Sequence, residues 1–197
     1  RDIAPERVSA ELLRLLCGRY AGHVLREYTD VLAVVLPELA PMRGFDQRNP
    51  HHKYDVLEHS IRALEQIPAE PLLRFAALYH DAGKPDCATV DSRGVGHFYG
   101  HPARSAELAE ARFRALRLPA AFCARAVRLI RLHDVPIPED AHIVRRRLAQ
   151  YGEADVRALL AVKKADCVGQ GTHPEYIEFY QRLERLLNRV LRENSCL

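Results

Sequence analysis

The stretch "FAALYHDAGKP", residues 75 to 85, decides the fold of this chain. It begins with the alanine-rich apolar composition of a buried helix, and it ends with two adjacent polar side chains, His80 and Asp81. Glycine, lysine and proline follow at once, which is typical of a helix end. A carboxylate beside an apolar helix face is costly unless something binds it. The segment therefore predicts a buried helix that ends at a binding site.

Hydrophobic periodicity is helical along almost the whole chain, so the predicted fold class is all-α, a helical bundle. Residues 87–100 instead alternate like a strand around an Arg93-Gly94 turn, and we expect one small β-hairpin there. Helices are predicted over residues 5–16, 23–39 (two short helices broken near Asp30 and at Pro37), 54–67, 70–82, 102–117, 120–134, 141–151, 154–169 and 174–194.

Length and composition suit one compact body with a small helical annex, because the chain has 197 residues of which 48% are hydrophobic and 28% charged. Residues 40–53 contain prolines, a glycine and an Asn-Pro step, and they are predicted to form a loop at a domain boundary. We expect an N-terminal helical annex over residues 1–50, the main domain over 51–172, and a C-terminal amphipathic helix over 173–197 that packs on this body.

Composition also argues against several classes of protein. No run of about 18 apolar residues and no basic-then-apolar leader is present, so we expect a cytoplasmic protein without a membrane span. The five cysteines are odd in number and never form a Cys-x-x-Cys pair, which argues against a disulfide framework and a zinc knuckle. A net charge of +3, mostly from arginine, is only weak evidence for a nucleic-acid partner.

Four polar residues occupy positions where the helical periodicity predicts apolar side chains: His59, His80, His133 and Asp166. A single histidine on an apolar face is more often a hydrogen-bonded core residue. Several together, with Asp81 adjacent to one of them, indicate a bound cation, because a buried carboxylate needs a partner. Mixed imidazole and carboxylate ligands suit Fe, Mn, Ni, Co or Zn.

The adjacency of His80 and Asp81 needs its own explanation, since neighbours on a helix point about 100° apart and do not share a face. Gly83 can adopt a left-handed C-cap conformation, and Pro85 prevents the helix from continuing. We therefore expect the backbone to bend here and to bring both side chains to one ion.

The order His59, His80-Asp81 and Asp166 resembles the H…HD…D signature of the HD superfamily, whose members are all-α metal-dependent phosphohydrolases. Longer segments, among them "LRFAALYHDAGKP" and "GVGHFYGHPARSAELAE", are similar to the C-terminal half of bacterial CCA-adding tRNA nucleotidyltransferases and their poly(A) polymerase relatives. By this resemblance, residues 1 to about 40 correspond to an RNA-binding neck and 51–172 to the HD domain. The chain lacks the Gly-Ser and paired Asp-x-Asp motifs of the nucleotidyltransferase head, so we expect that it does not add CCA by itself.

The resemblance implies roles for individual residues. It implies that four residues bind a divalent ion directly: His59, His80, Asp81 and Asp166. It also adds Mg to the candidate metals. Asp81 is also a candidate catalytic base, and Lys84 is a candidate catalytic residue that holds phosphate as a point charge, unless it is a solvated surface lysine. His101 and His133 are candidate ligands of a second metal or of the substrate phosphate. His97, in the hairpin, could line the same pocket, although loop histidines are usually just exposed.

The function implied is hydrolysis of phosphomonoesters or 2′,3′-cyclic phosphodiesters of nucleotides or RNA 3′ ends. In such sites the metal lowers the pKa of a bound water and polarises a phosphoryl oxygen. The main alternative is a non-hydrolytic, tRNA-binding body of a nucleotidyltransferase. A third reading is a regulatory sensor that binds nucleotide without cleaving it.

Overall fold

The structure is a computed structural model that describes residues 3–48, 53–171 and 174–195. It confirms the all-α class and the small hairpin, in which Thr89 pairs with His97 and Val90 with Gly96 in antiparallel register. The elements are α1 (Pro5–Cys17), α2 (Ala21–Glu27), α3 (Thr29–Leu32), α4 (Leu39–Met42), α5 (Val56–Gln66), α6 (Pro71–Tyr79), α7 (Lys84–Cys87), β1 (Thr89–Val90), β2 (Gly96–His97), α8 (His101–Ala115), α9 (Ala120–Leu132), α10 (Ala141–Tyr151), α11 (Glu153–Gly169) and α12 (Pro174–Ser195).

Local side-chain chemistry sets several helix ends. The predicted helix from residue 54 begins two residues later, because the Asp55 carboxylate accepts a hydrogen bond from the Glu58 backbone N–H and so caps α5. The predicted break near Asp30 lies two residues earlier, at Tyr28, between the end of α2 and the start of α3. At this break the Thr29 hydroxyl donates to the Leu25 carbonyl at 2.6 Å. The segment predicted as a loop from residue 40 also includes the end of α4.

The core lies between α5, α6, α8, α9 and α11. Helix α5 packs along α11 and α6, while α8 packs along α9. Phe75, Tyr79 and Phe113 are fully buried and meet edge to face, with ring centroids 5.1 Å apart for Phe75–Phe113 and 5.5 Å for Tyr79–Phe113. These aromatic contacts fix the C-terminal end of α6, where the His80-Asp81 doublet begins.

The N-terminal helices bury apolar side chains in the same core cluster, among them Leu16 and Leu25. Helix α12 packs against α10 and α11, with Leu183 and Leu187 buried. The expected domain limits at 50/51 and 172/173 fall on residues outside the described ranges, so the three-part division stays a prediction.

The described cysteines are free thiols of intermediate exposure: Cys17, Cys87, Cys123 and Cys167. Cys196 lies outside the described residues. Among the helices of the described part of the chain, none combines the length and the apolar character that a membrane crossing requires.

Candidate metal centre

The His80-Asp81 doublet lies in the short connection between α6 and α7. His80 directly follows α6 and is buried, with its Nδ1 atom 2.7 Å from the Ala77 carbonyl oxygen. The expected left-handed C-cap at Gly83 is wrong, because this residue has right-handed angles, φ −84° and ψ −7°. Pro85 does not end the helical path either, since it lies in the first turn of α7. The chain therefore turns once and restarts as a helix.

Glycine is required at position 83 because of close packing. A Cβ atom there would lie 2.6 Å from the Ser105 backbone nitrogen and 2.9 Å from the His101 carbonyl oxygen. The Gly83 N–H also donates to the Ser105 hydroxyl at 2.8 Å. This contact holds the first turn of α8, and with it His101, against the doublet.

The first cluster consists of His59, His80, Asp166 and the Oδ2 atom of Asp81. The two histidine Nε2 atoms are 3.0 Å apart, and each lies 3.3 Å from Asp81 Oδ2. Asp166 Oδ1 lies 3.1 Å from His59 Nε2 and 3.6 Å from His80 Nε2. Metal bonds of about 2.0–2.2 Å place neighbouring ligand atoms about 2.8–3.6 Å apart, so these separations fit a divalent ion.

Asp166 reaches this cluster because α11 crosses α5 at unusually close range. A Cβ atom on Gly169 would lie 2.9 Å from the Ala63 backbone nitrogen and 3.2 Å from the His59 carbonyl oxygen. Gly169 follows Asp166 by one helical turn, so both lie on the same face of α11. The missing side chain at Gly169 thus allows the approach of Asp166 to His59.

We expect the Gly169→Ala variant to lose about 1–3 kcal/mol of unfolding free energy, because the added methyl group must push the two helix backbones apart. The same displacement moves Asp166 away from His59 and should weaken metal binding. Urea denaturation of the metal-free protein and a metal titration measure the two effects. An unchanged midpoint together with unchanged metal affinity would contradict this account of the crossing.

The second cluster consists of His101, His133 and the Oδ1 atom of Asp81. His101 is the first residue of α8, and His133 directly follows α9. Their Nε2 atoms lie 3.2 Å and 3.7 Å from Asp81 Oδ1, and 3.3 Å from each other. Asp81 therefore faces each cluster with a different carboxylate oxygen. Both of the residue sets His59–His80–Asp81 and Asp81–His101–His133 could hold a metal ion.

Backbone carbonyls fix the tautomers of three histidines. Besides the His80 contact, Nδ1 of His101 lies 2.9 Å from the Phe98 carbonyl oxygen, and Nδ1 of His133 lies 2.7 Å from that of Ile130. A carbonyl oxygen only accepts, so each Nδ1 must carry the proton and donate. In the neutral ring, Nε2 then has a lone pair that points into the cluster, which is the arrangement found for metal-binding histidines.

Burial and opposite charges compete in setting the protonation of this site. Burial disfavours the cation of His80, but the carboxylates of Asp81 and Asp166 outweigh this effect and raise the pKa of His80 to about 10. The pKa of His59 is also raised, by the same two carboxylates, against burial. Despite burial, the neighbouring imidazoles hold the pKa values of Asp81 and Asp166 well below the usual range. Burial, and then the charge on His80, lower the pKa of His133 to about 4.

Metal binding should therefore release a proton. In the metal-free protein His80, with a pKa of about 10, is protonated at pH 7, whereas a ligating imidazole must be neutral. We expect release of at least about one proton per chain on binding, and an apparent affinity that rises with pH up to pH ~10. Calorimetric titration with Mn²⁺ in buffers of different ionisation enthalpy counts these protons. A binding enthalpy that does not depend on the buffer would contradict the prediction.

Lys84 lies in the site and is only 4% exposed, so the surface alternative is wrong. Its ammonium is 2.7 Å from Asp81 Oδ2 and 2.9 Å from Gln47 Oε1. Gln47 is 2% exposed and donates through Nε2 to the Tyr54 carbonyl oxygen at 3.1 Å. The sequence offered no signal for Gln47, because it lies in a segment without periodicity and its partner is 37 residues away.

An open cavity of about 380 Å³ gives access to both clusters. Asp81, His101, His133 and Asp166 line it, together with Lys84. The structure thus brings together every residue that the sequence singled out for the site, in and around one solvent-accessible cavity. Their roles in binding and catalysis stay predictions.

The family of the chain follows from comparison with known proteins. Residues 51–169 match the family model of the HD domain, so the chain belongs to the HD domain family. The order of its histidines and aspartates predicted this membership, which is confirmed.

Its relatives include tRNA nucleotidyltransferases. The chain is 39% identical, over 98% of its length, to a CC-adding tRNA nucleotidyltransferase of Thermus thermophilus, of which it covers 46%. It is 39% identical over 72% of its length to an A-adding tRNA nucleotidyltransferase of Deinococcus radiodurans, covering 34% of that protein. It is 34% identical over 68% of its length to a multifunctional CCA protein of Nitrosococcus oceani, again covering 34%. The chain therefore spans less than half the length of these curated relatives.

Proposed function

We propose that this chain is a metal-dependent phosphohydrolase acting on phosphomonoesters or 2′,3′-cyclic phosphodiesters of nucleotides or RNA 3′ ends. One observation carries the proposal: the carboxylate of Asp81 faces a histidine cluster with each of its oxygens, 3.3 Å from His80 and 3.2 Å from His101, beside an open cavity. The imidazole and carboxylate groups that converge here are the mixed donor set that divalent transition metals prefer, and a cation there would bind every member of the set.

Each cluster would hold one divalent ion. The first ion would be bound by His59, His80, Asp81 and Asp166, and the second by Asp81, His101 and His133. The tautomers favour a second ion over direct contact with phosphate. Both His101 and His133 use their Nδ1 proton on a backbone carbonyl, so in the neutral form neither Nε2 atom can donate to a phosphate oxygen.

The donor set also restricts the metal. Four imidazole nitrogens and two carboxylates fit Mn, Fe, Ni, Co or Zn better than Mg, which prefers oxygen ligands and retains its waters. When bound, such an ion supplies Lewis acidity and a water of lowered pKa.

Asp81 and Lys84 would position the water and the phosphoryl group that react. Although burial opposes it, the charges on His80 and Lys84 hold the pKa of Asp81 far below its usual range, so the carboxylate is ionised before the metal binds and would serve as its ligand and as an acceptor for a water there. This favours Asp81 as ligand and orienting group over a base that keeps the proton. The Lys84 ammonium, which lines the cavity, would offset the negative charge of the phosphoryl group.

The likeness to tRNA nucleotidyltransferases supports a second candidate, a tRNA-binding body that does not hydrolyse. It rests on 39% identity over 98% of the chain to the Thermus relative. In either case the proposed partners are nucleotides, RNA 3′ ends or tRNA, and on the same likeness we propose the cytoplasm as the compartment.

The two candidates are separated by assaying hydrolysis of 2′,3′-cyclic AMP and p-nitrophenyl phosphate with Mn, Ni, Co and Mg, in parallel with tRNA binding. A phosphohydrolase should show metal-dependent release of product, which a chelator stops. Binding of tRNA without any product from either substrate would favour the second candidate. A sensor would instead show nucleotide-dependent thermal stabilisation without turnover.

A further inference from the structure

Two stacked aromatic rings line the same cavity as the clusters. The rings of His97 and Tyr99 are nearly parallel, 5° between planes, with centroids 5.5 Å apart. Both residues line the cavity, yet the Tyr99 side chain is 81% exposed. A large aromatic ring held open to solvent at a cavity wall contributes little to folding, because it buries little of its surface.

The pair is also held in place. His97 Nε2 lies 3.2 Å from Asp91 Oδ2, while Asp91 Oδ1 accepts from the backbone N–H groups of Arg93 and Val95 at 2.9 Å and 3.0 Å. The hairpin turn therefore fixes the His97 ring, and His97 in turn supports one face of Tyr99. A rigid support of this kind lowers the entropic cost of stacking a ligand on the outer face.

The separation between Tyr99 and the second cluster suits a nucleotide. Tyr99 precedes His101 by two residues, which limits the distance between their Cα atoms to about 7 Å. His101 reaches Asp81 at 3.2 Å, so Tyr99 lies close along the chain to a residue of the second cluster and lines the same cavity. The cavity of about 380 Å³ lies in the range of small-molecule sites, about 300–1,000 Å³.

We infer that Tyr99, supported by His97, is a stacking platform for the nucleobase of a nucleoside phosphate whose phosphoryl group reaches the two clusters. This inference rests on the proposed function and specifies its substrate: a ligand with a base is preferred over a plain phosphoester. Stacking on an aromatic face is tolerant of sequence, so the platform accepts any of the four bases.

The test compares 3′-AMP with glycerol 2-phosphate on the Mn²⁺-loaded protein, since both are phosphomonoesters and only one carries a base. Binding is measured as KM from initial rates where the ligand is hydrolysed and by calorimetry where it is not. Tyr99→Ala should weaken 3′-AMP binding by about 5- to 150-fold and leave glycerol 2-phosphate unchanged. Tyr99→Phe keeps the ring and should bind like the unmodified protein. Tyr28→Ala, at a 55% exposed tyrosine outside the cavity lining, is the matched control and should change neither ligand.

The inference is overturned if Tyr99→Ala leaves 3′-AMP binding unchanged or weakens both ligands equally. It is also overturned if the unmodified protein binds the two ligands equally well. Selective loss of 3′-AMP binding in a protein without hydrolytic activity would support the platform and contradict only the proposed reaction. A four-nucleotide RNA with a 3′-phosphate tests whether the nucleoside can belong to an RNA end as well as to a free nucleotide. If Tyr99→Ala also weakens binding of this RNA, the platform binds RNA ends too.

Discussion

Asp81→Asn is expected to abolish metal binding at both clusters and to reduce hydrolysis by at least about 10³-fold, since bound metal supplies several kcal/mol of transition-state stabilisation. The asparagine side chain has nearly the same shape, but it has no charge and only one oxygen. It can therefore face His80 and His101 with an oxygen on one side only. Metal analysis of the dialysed variant and the rate of 2′,3′-cyclic AMP hydrolysis measure the two losses.

This variant should also be less stable. Lys84 is 4% exposed, and its ammonium lies 2.7 Å from Asp81 Oδ2, so loss of the carboxylate leaves this buried charge with the neutral Gln47 oxygen but without its anionic partner. We expect a loss of about 3–5 kcal/mol with helical content retained below the unfolding transition, which circular dichroism monitors. Asp86→Asn is the matched control, because its carboxylate is exposed and pairs with Arg104 at 2.7 Å. An Asp81→Asn protein that keeps its metal and its activity would contradict the site assignment.

His133→Ala is expected to reduce the metal content from two ions to one and hydrolysis by about 10²-fold, while the first ion remains bound. His133 supplies a candidate ligand atom only to the second cluster, 3.7 Å from Asp81 Oδ1, although its ring packs edge-on against that of His80, with centroids 5.0 Å apart. Metal stoichiometry and steady-state kinetics of the variant measure both effects. His142→Ala, at an exposed histidine in α10, is the matched control and should change neither.

The kinetic parameters distinguish the two roles considered for His133. Loss of a metal ligand lowers both kcat and the ion count. If His133 instead contacts the substrate phosphate, the variant keeps two ions and mainly raises KM. That second outcome would contradict the two-ion centre and leave the first cluster intact.

Periodicity predicted the long elements well, because each buries an apolar stripe that repeats every three to four residues. His59 on α5 and Asp166 on α11 stood out because a polar residue interrupted such a stripe, and the structure places both at the core side of their helices. His101 could be placed at the start of α8 because Pro102 follows it, and proline favours the first turn of a helix. The interrupted apolar stripes and the proline signal thus predict residues that the structure brings together in the two clusters.

What could not be predicted depends on contacts between distant segments. The sequence indicates that Gly83 ends a helix, but it contains no information on the packing of Ser105, whose backbone nitrogen would lie 2.6 Å from a Cβ atom at position 83. This packing is the actual reason for glycine. The burial of Lys84 likewise depends on Gln47, whose amide oxygen reaches it from another segment at 2.9 Å. The division of the Asp81 oxygens between two clusters also required three-dimensional structure, since His101 and His133 are 32 residues apart in the chain.

The most direct test of the central claim is a metal titration of the rate. Protein freed of metal by chelation is supplied with increasing Mn²⁺, and bound ions per chain and the rate of 2′,3′-cyclic AMP hydrolysis are measured on the same samples. The account predicts no product in the chelated protein and a rate that rises with occupancy and saturates at about two bound ions per chain. Full occupancy without product, or product that forms equally well in the chelated protein, would contradict a metal-dependent phosphohydrolase centred on Asp81.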